Sequence, residues 1–150
     1  MEVTLAIDYG SARVGTAVSV GWMARPLDVF PHGSIESLLA RLLALCTQEQ
    51  VTKIVVGLPL NADGTEGEQA TVVRGFATEL AQTTNLEIFL WNEYGSSQAA
   101  QAQMIGASRS RKARREKLDA IAAALFLQEF VEQNGVGAER VYPKDQQRHE

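Results

Sequence analysis

Two uninterrupted apolar runs, "KIVVGLPL" from Lys53 to Leu60 and "LEIFLW" from Leu86 to Trp91, constrain this chain more than any other feature. A strand with one face in water alternates apolar and polar residues, whereas a strand covered on both faces does not. Lys53–Leu60, which stops at Pro59, therefore reads as a central strand, and Leu86–Trp91 as a second buried one. Both need cover above and below the sheet, and the neighbouring segments supply it. "SIESLLARLLALCTQE" sets Ile35, Leu38, Leu39, Leu42 and Cys46 on one helical face behind Ser34 as N-cap. After the loop "NADGTEGE", Thr65 and Glu68 have the spacing of a capping box, and Val72, Val73, Phe76, Ala77 and Leu80 recur at helical spacing.

Upstream, Val3–Ile7 and Val14–Val20 are β-rich segments joined by "DYGSAR" with Gly10 at the turn, the pattern of a hairpin. Leu27–Phe30 lies between Pro26 and Pro31 and is expected to be short or at a sheet edge. Downstream, helices are expected over Ser97–Gly106 and Glu116–Glu132, the last with Leu118, Ile121, Ala122, Leu125 and Phe126 turned inward. Strands followed by alternating helices and strands imply one α/β domain, residues 1–133, with a mixed sheet between helices. Residues 134–150 read as a polar tail, disordered in part. No run of 18 apolar residues and no signal-peptide pattern occurs, so a cytoplasmic protein is expected, with no membrane partner. Cys46 has no second cysteine to pair with, and His32 and His149 suggest neither a metal site nor a triad.

The chemistry is carried by acids and bases. Asp8 ends the first strand, Glu93 follows the "LEIFLW" strand, and Asp119 stands in the first turns of the last helix. In open α/β sheets ligands gather at the carboxyl ends of strands, so these carboxylates could share a site. Together they would repel and raise one another's pKa values unless a cation intervened, and Mg²⁺, an oxygen-seeking ion that bridges to phosphates, is the natural one. Taken singly each has a structural reading: Asp119 can complement the helix dipole, Asp8 is a common turn residue, and Glu93 is the polar end of a strand. Arg109, Arg111, Lys112, Arg114, Arg115 and Lys117 are clustered in a chain of net charge −4, which suggests a polyanion, although most such runs are solvated faces.

"AIDYGSARVGTAVS", "IVVGLPLNADGTEG", "LWNEYGSS" and "LDAIAAALFLQ" occur in the order found in the YqgF family, also called RuvX, which the chain resembles from Leu5 to about Phe130. The resemblance implies a ribonuclease H-like fold with a mixed five-stranded sheet flanked by helices, and processing of the 5′ end of 16S ribosomal RNA precursor. It implies Asp8, Glu93 and Asp119 as catalytic and metal-ligating residues, with one or two Mg²⁺ or Mn²⁺ ions. Gly10, Asn61, Asp63, Gly64 and Gly67 would border the site, while Arg13, Arg109, Arg111, Lys112, Arg114 and Arg115 would hold nucleic acid. Where the family has Asp-Glu-Arg, this chain has Asn92, Glu93 and Tyr94, so one carboxylate and one bidentate phosphate donor are absent.

The expected function is a metal-dependent nuclease acting on structured RNA such as pre-16S rRNA. Three alternatives remain: a Holliday junction resolvase-like enzyme on branched DNA, a catalytically silent RNA or ribosome-assembly binding module, and an ATP-using relative of actin and Hsp70. The last needs a second domain, for which the 150-residue chain has no room. A monomer or weak homodimer is expected, a symmetric two-strand cut being the one task that calls for a dimer.

Overall fold

A computed structural model describes residues 2–94 and 111–144. The chain runs β1 (Val3–Tyr9), β2 (Arg13–Val20), β3 (Met23–Pro31), α1 (Ile35–Glu49), β4 (Lys53–Leu60), α2 (Glu68–Thr83), β5 (Glu87–Tyr94), α3 (Arg111–Glu132) and β6 (Glu139–Val141). The helix expected over Ser97–Gly106 lies outside the described residues, as does Arg109.

The strands form one mixed sheet in the order β3-β2-β1-β4-β5-β6. The first hairpin is as expected, Asp8 pairing with Gly15 and Val3 with Val20, and β3 is an edge strand. β4 lies between β1 and β5, parallel to both, and its Ile54, Val55 and Val56 are fully buried, as a continuous apolar run requires. The sheet has six strands, one more than expected. Glu139–Val141 adds antiparallel to Ile88–Leu90 of β5 and buries Val141. A three-residue strand in a polar, Gly-containing segment carries no periodic signal, so only its docking defines it.

α1 and α2 cover one face of the sheet. Ser34 caps α1 through its hydroxyl, which accepts from the Ser37 amide at 3.2 Å. Leu38, Leu42, Leu45 and Cys46 of α1 and Val73, Phe76, Ala77 and Leu80 of α2 close over Leu5, Ile7, Ile54, Val56, Ile88 and Leu90. Val72, expected on that face, is 51% exposed. The capping box does not form: Gly67 is the N-cap of α2, and the Thr65 hydroxyl donates instead to Asp63 at 2.6 Å. An aspartate two residues away outcompetes the helix end for that hydroxyl.

α3 covers the other face, with Ala120, Ala123, Phe126, Leu127 and Phe130 buried against Ala6, Ala17, Val55 and Trp91. Leu118, Ile121 and Leu125, expected inward, are only half-buried. The helix also begins at or before Arg111, so the basic residues Arg111, Lys112, Arg114 and Arg115 lie within it rather than ahead of it; only their backbone is described. Among the described residues no helix is long and apolar enough to cross a membrane.

Candidate active site

Side chains alternate across a strand, and this parity decides which residues meet α3. On β1 the α3 face receives Ala6 and Asp8; on β2, Arg13, Gly15 and Ala17; on β4, Val55 and Gly57; on β5, Phe89, Trp91 and Glu93. Asp8 and Glu93 therefore point to the same side although β4 separates their strands. Asn92, one residue out of phase with Glu93, points to the other side and is exposed. A carboxylate at position 92 would thus not join this group.

Two glycines give the carboxylates their room. A Cβ on Gly15, directly opposite Asp8, would lie 2.2 Å from the Asp119 carbonyl oxygen, so the backbone of α3 rests on the bare strand there. A Cβ on Gly57 would lie 2.8 Å from Glu93 Oε2 and 2.9 Å from the Phe126 ring. Glu93 consequently reaches over β4 toward Asp8. Asp119 stands roughly two turns inside α3, beyond the first turn where a helix dipole acts, so the dipole does not account for it.

Asp8 is pushed up to about 6 by burial and then by the nearby Asp119 carboxylate. Glu93 is pushed up to about 8, by burial first and then by Asp8 and Glu129. Asp119 accepts a hydrogen bond from Arg13 Nε at 2.6 Å. Asp8 thus feels both other carboxylates, while among the described residues no three acidic, His or Cys side chains gather tightly enough to enclose a metal ion. The donors are all oxygen and mutually repelling, a set that fits a hard divalent cation keeping some of its waters.

The loop of residues 61–67 follows the carboxyl end of β4 and leads into α2. The amide of Asn61 donates to the Thr65 carbonyl at 2.8 Å and that of Gly64 to the Asn61 carbonyl at 2.9 Å, while Asp63 accepts from the Thr65 amide. Gly67 passes against the Asn61 side chain, and the Gly10 amide donates to Arg13 O at 3.1 Å in the turn after β1. Gln69 Nε2 donates to the Tyr9 carbonyl at 3.4 Å, which joins the start of α2 to the end of β1.

Sequence reasoning missed the contact of Tyr9 with His32 on the opposite face of the sheet. His32 Nδ1 donates to the Gly33 carbonyl, which can only accept, at 2.8 Å, and Nε2 lies in hydrogen-bonding contact with the Tyr9 hydroxyl at 2.5 Å. Tyr9 also stacks on Phe76 at 4.0 Å, and burial pushes its hydroxyl pKa up. It missed Glu129 too, which receives a long 3.5 Å hydrogen bond from Trp91 Nε1. No spacing rule marks these residues, but strand parity would have picked out Gly15 and Gly57.

A mixed sheet covered by helices, with acidic side chains converging on the end of its first strand, defines a ribonuclease H-like protein. Solved structures share that fold: Thermus thermophilus RuvC in complex with a Holliday junction substrate superposes with a TM-score of 0.58 at 16% identity, covering 94% of this chain and 100% of that one. The fowlpox virus Holliday junction resolvase gives 0.55 at 14% identity over 87% and 99%. The chain belongs to the RuvX family, described as Holliday junction resolvase, which matches residues 2–133 and is a family of nucleases. Curated relatives bearing the name "Putative pre-16S rRNA nuclease" include one from Myxococcus xanthus, 37% identical over 131 residues and 86% of this chain and 87% of its own length. Another, from Pelotomaculum thermopropionicum, is 40% identical over 134 residues, 87% of either chain.

Proposed function

We propose that this protein is a divalent-metal-dependent nuclease that hydrolyses phosphodiester bonds in structured RNA, its substrate being the 5′ extension of the 16S rRNA precursor. The observation that carries the reading is the convergence on Asp8 of the carboxylates Asp119 and Glu93, made possible by the missing side chains at Gly15 and Gly57. The names of the curated relatives favour RNA.

Asp8, Glu93 and Asp119 would hold the cation. When bound, it would polarise a phosphoryl oxygen and lower the pKa of an attacking water. The protein's own groups do the rest. Burial under α3 keeps Asp8 and Glu93 partly protonated near neutrality, so each must surrender a proton before it can act as a ligand. Arg13, held to Asp119 through Nε, brings a guanidinium to the rim where a phosphate would approach. Arg111, Lys112, Arg114 and Arg115, in the first turns of the helix that carries Asp119, would grip the RNA backbone, as Arg109 just ahead of them would, without reading its sequence.

The test incubates end-labelled 16S precursor RNA, and separately a four-way DNA junction, with protein and Mg²⁺, Mn²⁺ or EDTA, alongside Asp8→Asn. The expected outcome is metal-dependent cutting of the RNA, reduced by a factor of about 10³ in Asp8→Asn, the scale of losing a metal's several kcal/mol of charge stabilisation. RNA bound but uncut with either metal would sink the nuclease reading and leave a binding module; cutting of the junction alone would move the substrate to DNA.

A further inference from the structure

We propose that Arg74 is a positioning residue for the candidate site, clamping the loop of residues 61–67 to the last strand of the sheet. Arg74 projects from the second turn of α2, and its guanidinium meets two carboxylates from separate parts of the chain. Nε and Nη2 donate to Glu66 at 2.7 and 2.8 Å, while Nη1 and Nη2 donate to Glu139 at 2.6 and 3.0 Å. Both contacts are two-pronged, the geometry for which a planar guanidinium is built. Arg74 therefore ties Glu66, in the loop, to Glu139 at the start of β6.

The clamp matters because little else fixes the loop's outer end. Gly67, the next residue, caps α2 without any side-chain hydrogen bond, and among the described residues the side chains of Asn61, Asp63 and Thr65 bond within the loop. Those bonds shape the loop internally without setting where it stands. It leaves the end of β4, the strand between those of Asp8 and Glu93, where Pro59 pairs with Glu93, and its far end is held by Arg74. Glu139 is itself kept in place through its neighbour Arg140, which donates to Glu87 at 2.9 Å and lies 5.7 Å from the Phe89 ring. The guanidinium also offsets part of the negative charge of Glu66 and Glu139. An ordinary exposed ion pair contributes little, but one cation shared by two segments restricts the placement of both.

This inference rests on the reading of the loop as part of an RNA-cleaving site, and the experiment separates the two. Amide hydrogen exchange is measured for Asn61, Gly64 and Thr65, with Ile54 and Val55 as core controls, in the native protein and in Arg74→Met, Arg74→Lys, Glu66→Gln and Glu139→Gln. Precursor RNA affinity is measured in EDTA on the same proteins. In Arg74→Met the three loop amides are expected to exchange about tenfold faster with the core amides unchanged, a local opening rather than global loss. RNA affinity is expected to fall about fivefold, with partial recovery of both in Arg74→Lys, which keeps the charge but not the fork. Loop amides as protected in Arg74→Met and Glu66→Gln as in the native protein would overturn the clamp. Loosened amides with unaltered RNA affinity would overturn the positioning role and leave Arg74 a purely structural tie. If the native protein binds no RNA, the nuclease reading fails and the positioning role with it, while the exchange data still report the clamp itself.

Discussion

The two faces of the sheet are built to opposite rules. Toward α1 and α2 the strands present Leu5, Ile7, Ile54, Val56, Leu58, Ile88 and Leu90, large side chains with at most 2% exposure that close a dry core. Toward α3 the large residues Val55, Trp91, Phe126, Leu127 and Phe130 still pack together, but around the acids the strands present Ala6, Gly15, Ala17 and Gly57, and α3 answers with Ala120 and Ala123. The first face gains its stability from volume. At these positions the second gives up volume, so that the backbone of α3 rests on the strand at Gly15 and Glu93 reaches over Gly57 toward Asp8. The difference teaches that acidic side chains can be gathered within one sheet, without a cleft between domains, where side chains are left out on one of its faces.

Experiments can break or sharpen this contrast. The largest effect is expected from Gly15→Ala, whose new Cβ would meet main-chain atoms of Asp119 that cannot rotate away. A loss of about 3 kcal/mol or more is expected, at the upper end for overpacking, measured by urea denaturation. A loss under about 1 kcal/mol would mean that α3 does not sit on the strand as closely as described.

Next is the response to pH. Asp8 and Glu93 have folded pKa values raised to about 6 and about 8, so the folded protein binds protons more tightly than the unfolded chain does. Their contribution is fully present below the ordinary carboxylate range and is lost as pH rises, through about 6 for Asp8 and about 8 for Glu93. In EDTA, stability should therefore decline between about pH 4 and pH 8 by a few kcal/mol, and Mg²⁺ should restore much of it at pH 8. A melting temperature that stays flat across that range in EDTA would contradict the mutual repulsion of these carboxylates.

The smallest effect belongs to Gly57→Ala. Its Cβ would press on the Glu93 carboxylate and the Phe126 ring, both of which can turn aside. A stability loss of about 1 to 2 kcal/mol is expected. Cleavage, however, should fall more steeply than stability, because Glu93 is displaced from Asp8. Equal losses at Gly15 and Gly57 would show that the two glycines serve packing alone.

The parts of the molecule governed by local pattern were legible in the sequence. The unbroken runs around Val55 and Phe89 marked buried strands, Ser34 marked a helix start, and the prolines around Leu27 marked an edge. What depends on distant partners was not. β6 exists because Arg140 and Val141 find β5, and nothing in "GAERVY" announces that. Thr65 has a helix-capping spacing, but Asp63 takes its hydroxyl. The inward side of α3 was misjudged because leucine and isoleucine were weighted above alanine, whereas close approach to Gly15 favours the smaller residue. At the site, strand-end position singled out Asp8 and Glu93 individually. That they face the same helix follows from strand parity, whereas the bond from Arg13 to Asp119 joins residues 106 positions apart, which no local pattern marks.

The strand order has a consequence for how the molecule comes into being. After the β1–β2–β3 meander, every later strand joins the growing edge in order of synthesis: β4 on β1, β5 on β4, β6 on β5. The helix over the opposite face arrives only after β5, so a nascent chain holds Asp8 and Glu93 well before it holds Asp119. While the ribosome is still making the protein, its alanine-and-glycine face is bare and its cluster of acids is missing a member. The group formed by Asp8, Glu93 and Asp119 is thus completed only once α3 has emerged and docked.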